Sequence, residues 1–343
     1  MRKNAKSNLN RVVVWMVAAM LALATVVLAS CGNEESGGSG SDTPAPAPAP
    51  APDPQPAAPG PVTFTDSRGV TVTVENPQRV VACMGSFAHI WELAGGTLVG
   101  YSDDTLTSGY DIISTGAKTV GDFSAPSLEA IIDLEPDFVI MTSGSGGRGG
   151  SSSQAELAGS LENAGITVAT FNVTTFADYL EMLRICCEIT GNAEAFATNG
   201  QAVADRIDAI KASVPAGTAP VVLVGITYSG GLRVQAGSTM AGGIVVELGG
   251  TNLADVNRSL LSEYSMESVI EADPDVILLI PMGNTDDAAA KHLAECTAAN
   301  PAWAELKAVK TGKYLALESD LFVYKPCERW DEAYQAVYGA LYK

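Results

Sequence analysis

Histidine is almost missing from this chain: His89 and His292 are the two examples in 343 residues. A three-histidine metal centre therefore lacks its ligands, and a His-dependent catalytic triad is short of material, although carboxylates remain able to hold a hard cation. Basic side chains are scarce as well, with 20 Lys plus Arg against 39 Asp plus Glu and a formal charge of −19. Such a surface offers no basic face to a polyanion, which excludes nucleic-acid binding. The six cysteines show no CxxC or Cys/His spacing, so neither a zinc site nor a disulfide framework is expected. Cys186 and Cys187 are neighbours on an amphipathic stretch and read as core, and Cys296 with Cys327 is the one pair worth considering as a bridge. The Gly-rich stretch Gly144–Gly149 fits GxGxxG, but no Lys-Ser/Thr follows it and the next strand does not end in an acidic residue. A Walker loop is excluded on the first count and a dinucleotide fingerprint is disfavoured on the second.

What is present begins with a leader. Residues 1–30 carry Arg2, Lys3, Lys6 and Arg11, no acidic side chain, and an apolar run from Val12 to Leu28. That pattern is a secretory signal. It closes on Leu28-Ala29-Ser30-Cys31, which resembles a lipobox and predicts a lipid on Cys31 of the mature chain. An uncleaved anchor is the alternative, since the run nearly suffices to span a bilayer. Either way the body of the protein is expected to work outside the cytoplasm, anchored to the cell membrane. Removing the leader takes the formal charge from −19 to −23. Residues 31–61 are Gly/Ser-rich and then alternate Pro with Ala, a composition that builds an extended spacer rather than a core. The remainder, with 47% hydrophobic and 17% charged residues in the whole chain, describes a well-cored globular protein.

Patterning divides that remainder into residues 62–174, 175–214 and 215–343. VTFTDSRGVTVTV reads as a β-hairpin, and from RVVACMG onward short apolar strands (LVGYS, DFVIMTS, ITVATFN) alternate with helical segments. Continuous apolar strands separated by helices imply a parallel sheet covered on both faces. Residues 175–214 contain no strand candidate and read as helix, interrupted near Gly191-Asn192 and ending in a long bridge between two lobes. PVVLVGITYS opens a second alternating block that ends in the helix RWDEAYQAVYGALY. The predicted fold class is α/β, two Rossmann-like lobes with parallel sheets joined by a long bridging helix. A repeat supports the two halves: Ser127–Ile140 aligns without gaps on Ser265–Leu278 at an offset of 138, with five of fourteen positions identical.

These landmarks, NPQRVVACMGSFAHIWELAGG, GDFSAPSLEAIIDLEPDFVIMTS, YSMESVIEADPDVILLIP and RWDEAYQAVYGALY, in this order and behind a lipobox, resemble the iron-complex and vitamin B12 periplasmic-binding family. The resemblance spans about Val62 to Tyr342. It implies a helix-hinged, monomeric receptor that carries a ferric siderophore first, or haem or a corrinoid, to an ABC permease and its ATPase subunits, with no catalysis, resident metal or cofactor. A secreted α/β hydrolase is the alternative. By the family pattern, Glu129 and Glu267 are the expected permease-docking residues.

Ligands of open α/β sheets bind beyond the carboxyl ends of strands, so the candidate contacts are drawn from loops there. They are Met84, Ser86, Phe87 and His89 after the first strand of the parallel sheet, Arg148 after DFVIMTS, Tyr228 and Arg233 around VVLVGITYS, and Tyr324, Lys325, Arg329 and Trp330 before the last helix. Arginine and lysine suit carboxylate or catecholate oxygens, and aromatic faces suit a ligand's apolar body. Arg148 and Arg233 offer one cation from each lobe. His292 is expected on a solvated helix.

Overall fold

A computed structural model describes residues 60–110, 112–143, 150–228, 231–262, 265–282 and 288–343. The leader, Cys31, most of the spacer and Arg148 lie outside them. Val62–Thr65 (β1) and Thr71–Val74 (β2) pair antiparallel, closing on Asp66–Val70. The Asp66 carboxylate accepts the Arg68 and Val70 N–H groups and the Arg68 guanidinium, so one side chain holds the turn predicted from Ser67-Arg68-Gly69. The first parallel sheet contains Val80–Ala82 (β3), Leu98–Tyr101 (β4), Lys118–Thr119 (β5), Phe138–Thr142 (β6) and Thr167–Phe171 (β7). Its order is β5-β4-β3-β6-β7, so the order reverses between β3 and β6.

The second sheet contains Val221–Tyr228 (β8), Gly231–Val234 (β9), Thr251–Asn252 (β10), Val276–Pro281 (β11) and Tyr314–Ala316 (β12). Its parallel order is β10-β8-β11-β12, with β9 folded back antiparallel on β8, and here the order reverses between β8 and β11. β6 and β11 are buried along their whole length, and the period of two divides their side chains between different cores. Phe138 and Ile140, with Val276, Leu278 and Ile280, enter one cluster that also takes in helix Phe176–Thr190 and the C-terminal helix Trp330–Tyr342. Val139 and Met141 pack instead in a second cluster, and Ile277 and Leu279 in a third. The continuous apolar runs of the sequence exist because each of these strands is covered on both faces.

The repeat is visible in backbone detail. Ser127 and Ser265 each cap a short helix by accepting the N–H three residues on, from Ala130 and Ser268, both at 3.2 Å. Glu135 and Asp273, again 138 positions apart, both adopt left-handed conformations, φ 45° and 40°, immediately before proline. Proline disfavours the right-handed helical region in the residue before it, so the turn into the strand is made by that residue rather than by the proline itself. Asp137 accepts the Gln78 and Arg79 N–H groups, and Asp275 accepts that of Val221, tying each new strand to the start of its central neighbour.

Between the sheets, the capping box of Thr175 with Asp178 starts the helix Phe176–Thr190, and Gly191, with φ 71°, ends it. A second run spans Ala193 to Ala212 and contains a wide π turn at Ala197–Gln201. Tyr179 donates its hydroxyl to the Asn199 carbonyl in that turn at 2.8 Å. Gly200 permits the close approach: a Cβ there would lie 2.9 Å from the Leu180 side chain.

Candidate functional site

Each sheet reverses its strand order once, and the crevice outside the carboxyl ends of the strands at such a point is where ligands of this architecture bind. In the first lobe the crevice lies between the segments after β3 and β6. Gln154, fully buried, spans it: its carbonyl accepts the Thr142 N–H at 2.9 Å, and its amide donates to the carbonyls of Cys83 at 3.0 Å and Phe123 at 2.5 Å. Three strand-end segments are thereby fixed by one side chain. Gly85, opening the helix Gly85–Leu93, donates its N–H to Asp104, whose other oxygen accepts from Ser102. Burial raises the Asp104 pKa, and the nearby Asp122 charge adds to the rise against those hydrogen bonds. Ser86 Oγ, Thr105 Oγ1 and Ser108 Oγ are buried without a protein partner. Hydroxyls in that state are satisfied by water or by a ligand.

In the second lobe the crevice lies between the ends of β8 and β11, where Tyr228 and Met282 are exposed at 46% and 40%. The Met282 N–H donates to the Thr227 carbonyl, which holds these two strand ends side by side.

The lobes meet through residues 325–328. Tyr110 donates its hydroxyl to the Lys325 carbonyl at 2.5 Å, and His89 Nε2 lies 3.0 Å from a carboxylate oxygen of Glu328 while its ring stacks on Tyr110. The Cys327 thiol points at the carbonyls of Lys325 and Ser86, with the Cys327 backbone left-handed at φ 51°. Burial works against ionisation of Glu328, but the hydrogen bond and charge of His89, helped by Arg329, outweigh it and hold its pKa below the usual carboxylate value. Burial lowers the Lys325 pKa.

The candidate residues therefore fall into distinct groups. Met84 and Ser86 lie at the first crevice, Tyr228 at the second, and Tyr324 and Lys325 are partly buried where the lobes meet. Phe87 and Trp330 require correction as ligand contacts. Each is about 1% exposed, Phe87 edge-on to Phe171 and Trp330 edge-on to Phe176, because each falls on the apolar stripe of its helix. His89 is engaged by Glu328, Arg329 pairs with Glu332 at 2.7 Å, and Arg233 is exposed on β9. Glu129 and Glu267 are exposed in the first turns of their helices.

His292 is not solvated as expected: it lies against the Tyr314 hydroxyl at 2.5 Å and above Cys296. Cys296 and Cys327 are buried thiols that are not joined to each other, so the considered bridge does not form. A separate groove of about 670 Å³ is lined by Arg206, Ile210, Leu317, Leu321, Glu332 and Ala336, none of them a candidate from the sequence. Sequence reasoning missed Gln154, Tyr110 and Glu328. Only Glu328 left a signal, as the acidic neighbour of Arg329 in a segment already singled out.

Residues 81–321 match the periplasmic binding protein family. A Bacillus subtilis (strain 168) protein named as a candidate ABC transporter substrate-binding lipoprotein, YhfQ, is 26% identical over 270 residues, covering 73% of this chain and 79% of its own. Among solved structures, IsdE of S. aureus, complexed with haem, aligns with a TM-score of 0.59 at 17% identity, over 77% of this chain and 99% of that one. The siderophore-binding protein BauB, bound to ferric iron and two molecules of acinetobactin, aligns at 0.61 and 16% identity, over 82% and 98%. At these identities the structural matches speak for the fold.

Proposed function

The chain belongs to the periplasmic binding protein family, and from that premise we propose that it is the extracytoplasmic receptor of an ABC importer, held to the membrane by a lipid on Cys31. Its cargo is a metal chelate, a ferric siderophore before haem or a corrinoid, which it delivers unchanged to the permease and its ATPase subunits. The observation that carries this reading is the pair of strand-order reversals, one in each lobe, on either side of a junction made by residues 325–328. Two such crevices give a ligand a wall from each lobe. Exposed Tyr228 and Met282 supply apolar surface on one side, and the unpaired Ser86 hydroxyl supplies polarity on the other. The names of YhfQ and the ligands of IsdE and BauB support the same class. Nothing in the comparisons favours the hydrolase alternative. Glu129 and Glu267, equivalent in the repeat, are the proposed docking points on the permease.

Native mass spectrometry of the protein purified from its own organism tests the proposal. The expected result is a retained iron chelate, released intact on denaturation. A retained metal-free solute, or chemical turnover of the retained molecule, would refute it.

A further inference from the structure

We propose that the Lys325 ammonium, partly buried at the lobe junction without an anionic partner, recognises an ionised acidic group on the transported ligand and so restricts the cargo to anionic chelates. The inference rests on the reading of the cleft as an iron-complex site.

The position is rigid. Tyr110 of the first lobe grips the Lys325 carbonyl, and three residues on Glu328 is held by His89, so the backbone beneath the ammonium is fixed from the opposite lobe. The charge is uncompensated. Other basic residues at or near this part of the molecule are spent on neighbours: Arg329 on Glu332, Arg206 on Asp331, and Lys211 on Glu247. Of the described basic side chains that are not exposed, Arg68 and Arg184 are also in ion pairs, and Lys313 donates to the Leu341 carbonyl. Among the described residues Lys325 is thus the basic side chain that is both partly buried and without an ion pair or side-chain hydrogen bond. The Cys327 thiol and the Asp178 carboxylate act on it through space, but burial holds the thiol well above its ordinary pKa and therefore uncharged, and Asp178 Oδ2 is committed to the Thr174 and Thr175 N–H groups at 3.0 and 2.8 Å.

Burying a cation away from a counter-charge is costly, and a chain with 39 acidic residues has no shortage of partners to place beside it. The vacant coordination of the ammonium is explained if the counter-charge arrives with the cargo. Lysine acts here as a compact point charge with three donors, suited to a carboxylate or catecholate oxygen. Burial already lowers its pKa, and a bound anion would restore it, so binding in alkaline buffer takes up a proton and affinity falls as pH rises.

The test uses two probes that share the metal and differ in charge, an anionic ferric tris-catecholate and a neutral ferric tris-hydroxamate, titrated against the wild type, Lys325→Met and Lys325→Arg with tryptophan fluorescence as readout. The wild type is expected to prefer the catecholate by about tenfold or more, Lys325→Met to lose that preference while keeping its affinity for the hydroxamate, and Lys325→Arg to retain most of it. Thermal melts of the two variants verify folding, and Met, which removes an uncompensated charge, is not expected to lower the midpoint. Equal catecholate affinity of the wild type and Lys325→Met, or a wild-type preference for the neutral chelate, overturns the inference and leaves the proposed function standing. Failure of both probes with all three folded proteins overturns the ferric-siderophore reading on which the inference rests.

Discussion

Replacing Gln154 by Leu should be among the most damaging single changes available to the first lobe. The side chain is fully buried and makes three hydrogen bonds to three segments, so leucine fills similar space while stranding the Thr142 N–H and the Cys83 and Phe123 carbonyls. A buried polar group left unpaired costs about 1–3 kcal/mol, somewhat less for a carbonyl than for an N–H, which makes the expected loss about 3–6 kcal/mol. That is a large part of the stability of an ordinary domain. Gln154→Glu separates the hydrogen bonds from the packing. One oxygen still accepts the Thr142 N–H, but the other faces two carbonyls and bonds to them only when it carries a proton. The folded-state pKa of this new glutamate is therefore raised above its unfolded value of about 4.3. Its stabilising contribution is fully present below that value and disappears as pH rises through the folded pKa. Urea denaturation followed by circular dichroism between pH 4 and 8 measures both effects. A leucine variant within about 1 kcal/mol of wild type, or a glutamate variant whose penalty ignores pH, would refute the assignment of Gln154 as the tie between these segments.

Glu328 has a depressed folded pKa, so its contact with His89 contributes stability above the unfolded value of 4.5 and loses it as pH falls through the folded pKa; the stability gap between wild type and Glu328→Gln should be widest above pH 4.5 and close in stronger acid, and a pH-independent gap would count against the contact. Cys31→Ala should move the protein from the membrane fraction to the soluble one, and a variant that stays bound after salt washing would indicate an uncleaved helix. Reversing charge at both Glu129 and Glu267 should abolish uptake with ligand affinity unchanged; normal uptake would leave these residues only their favourable placement at helix N-termini, worth about 0.3–1 kcal/mol each.

The strands and the repeat were legible because they depend on local pattern. DFVIMTS and DVILLIP announce strands covered on both faces, and the Ser-x-Glu…Pro-Asp unit recurs with its caps and left-handed turns in register. The core role of Trp330 was legible too. Trp330, Ala333, Tyr334, Val337 and Leu341 form one helical stripe, and the neighbouring charges drew the reading toward the ligand instead. Ile244–Glu247, the first four residues of the mainly apolar IVVELGG segment, end helix Met240–Glu247, where the Thr239 cap supplies the decisive local signal. Gln154 was not legible. Its role depends on three segments that lie 12, 31 and 71 residues before it, and a glutamine in a helical stretch carries no mark of that. Tyr110 likewise acts across 215 residues, a separation at which periodicity says nothing.

The wide turn at Ala197–Gln201 sets an angle as well as satisfying a carbonyl. An α-helix advances about 100° per residue, so the extra residue accommodated there resets the phase of everything downstream. Within the turn, Asn199 is tied to the end of helix Gly85–Leu93 by donating to the Leu93 carbonyl; downstream, Val203 and Ile207 face the core shared with the C-terminal helix. The azimuth of one lobe about the bridge is thus encoded in a single residue's worth of winding. Insertion or deletion within those five positions would swing one crevice relative to the other without altering any side chain that lines either.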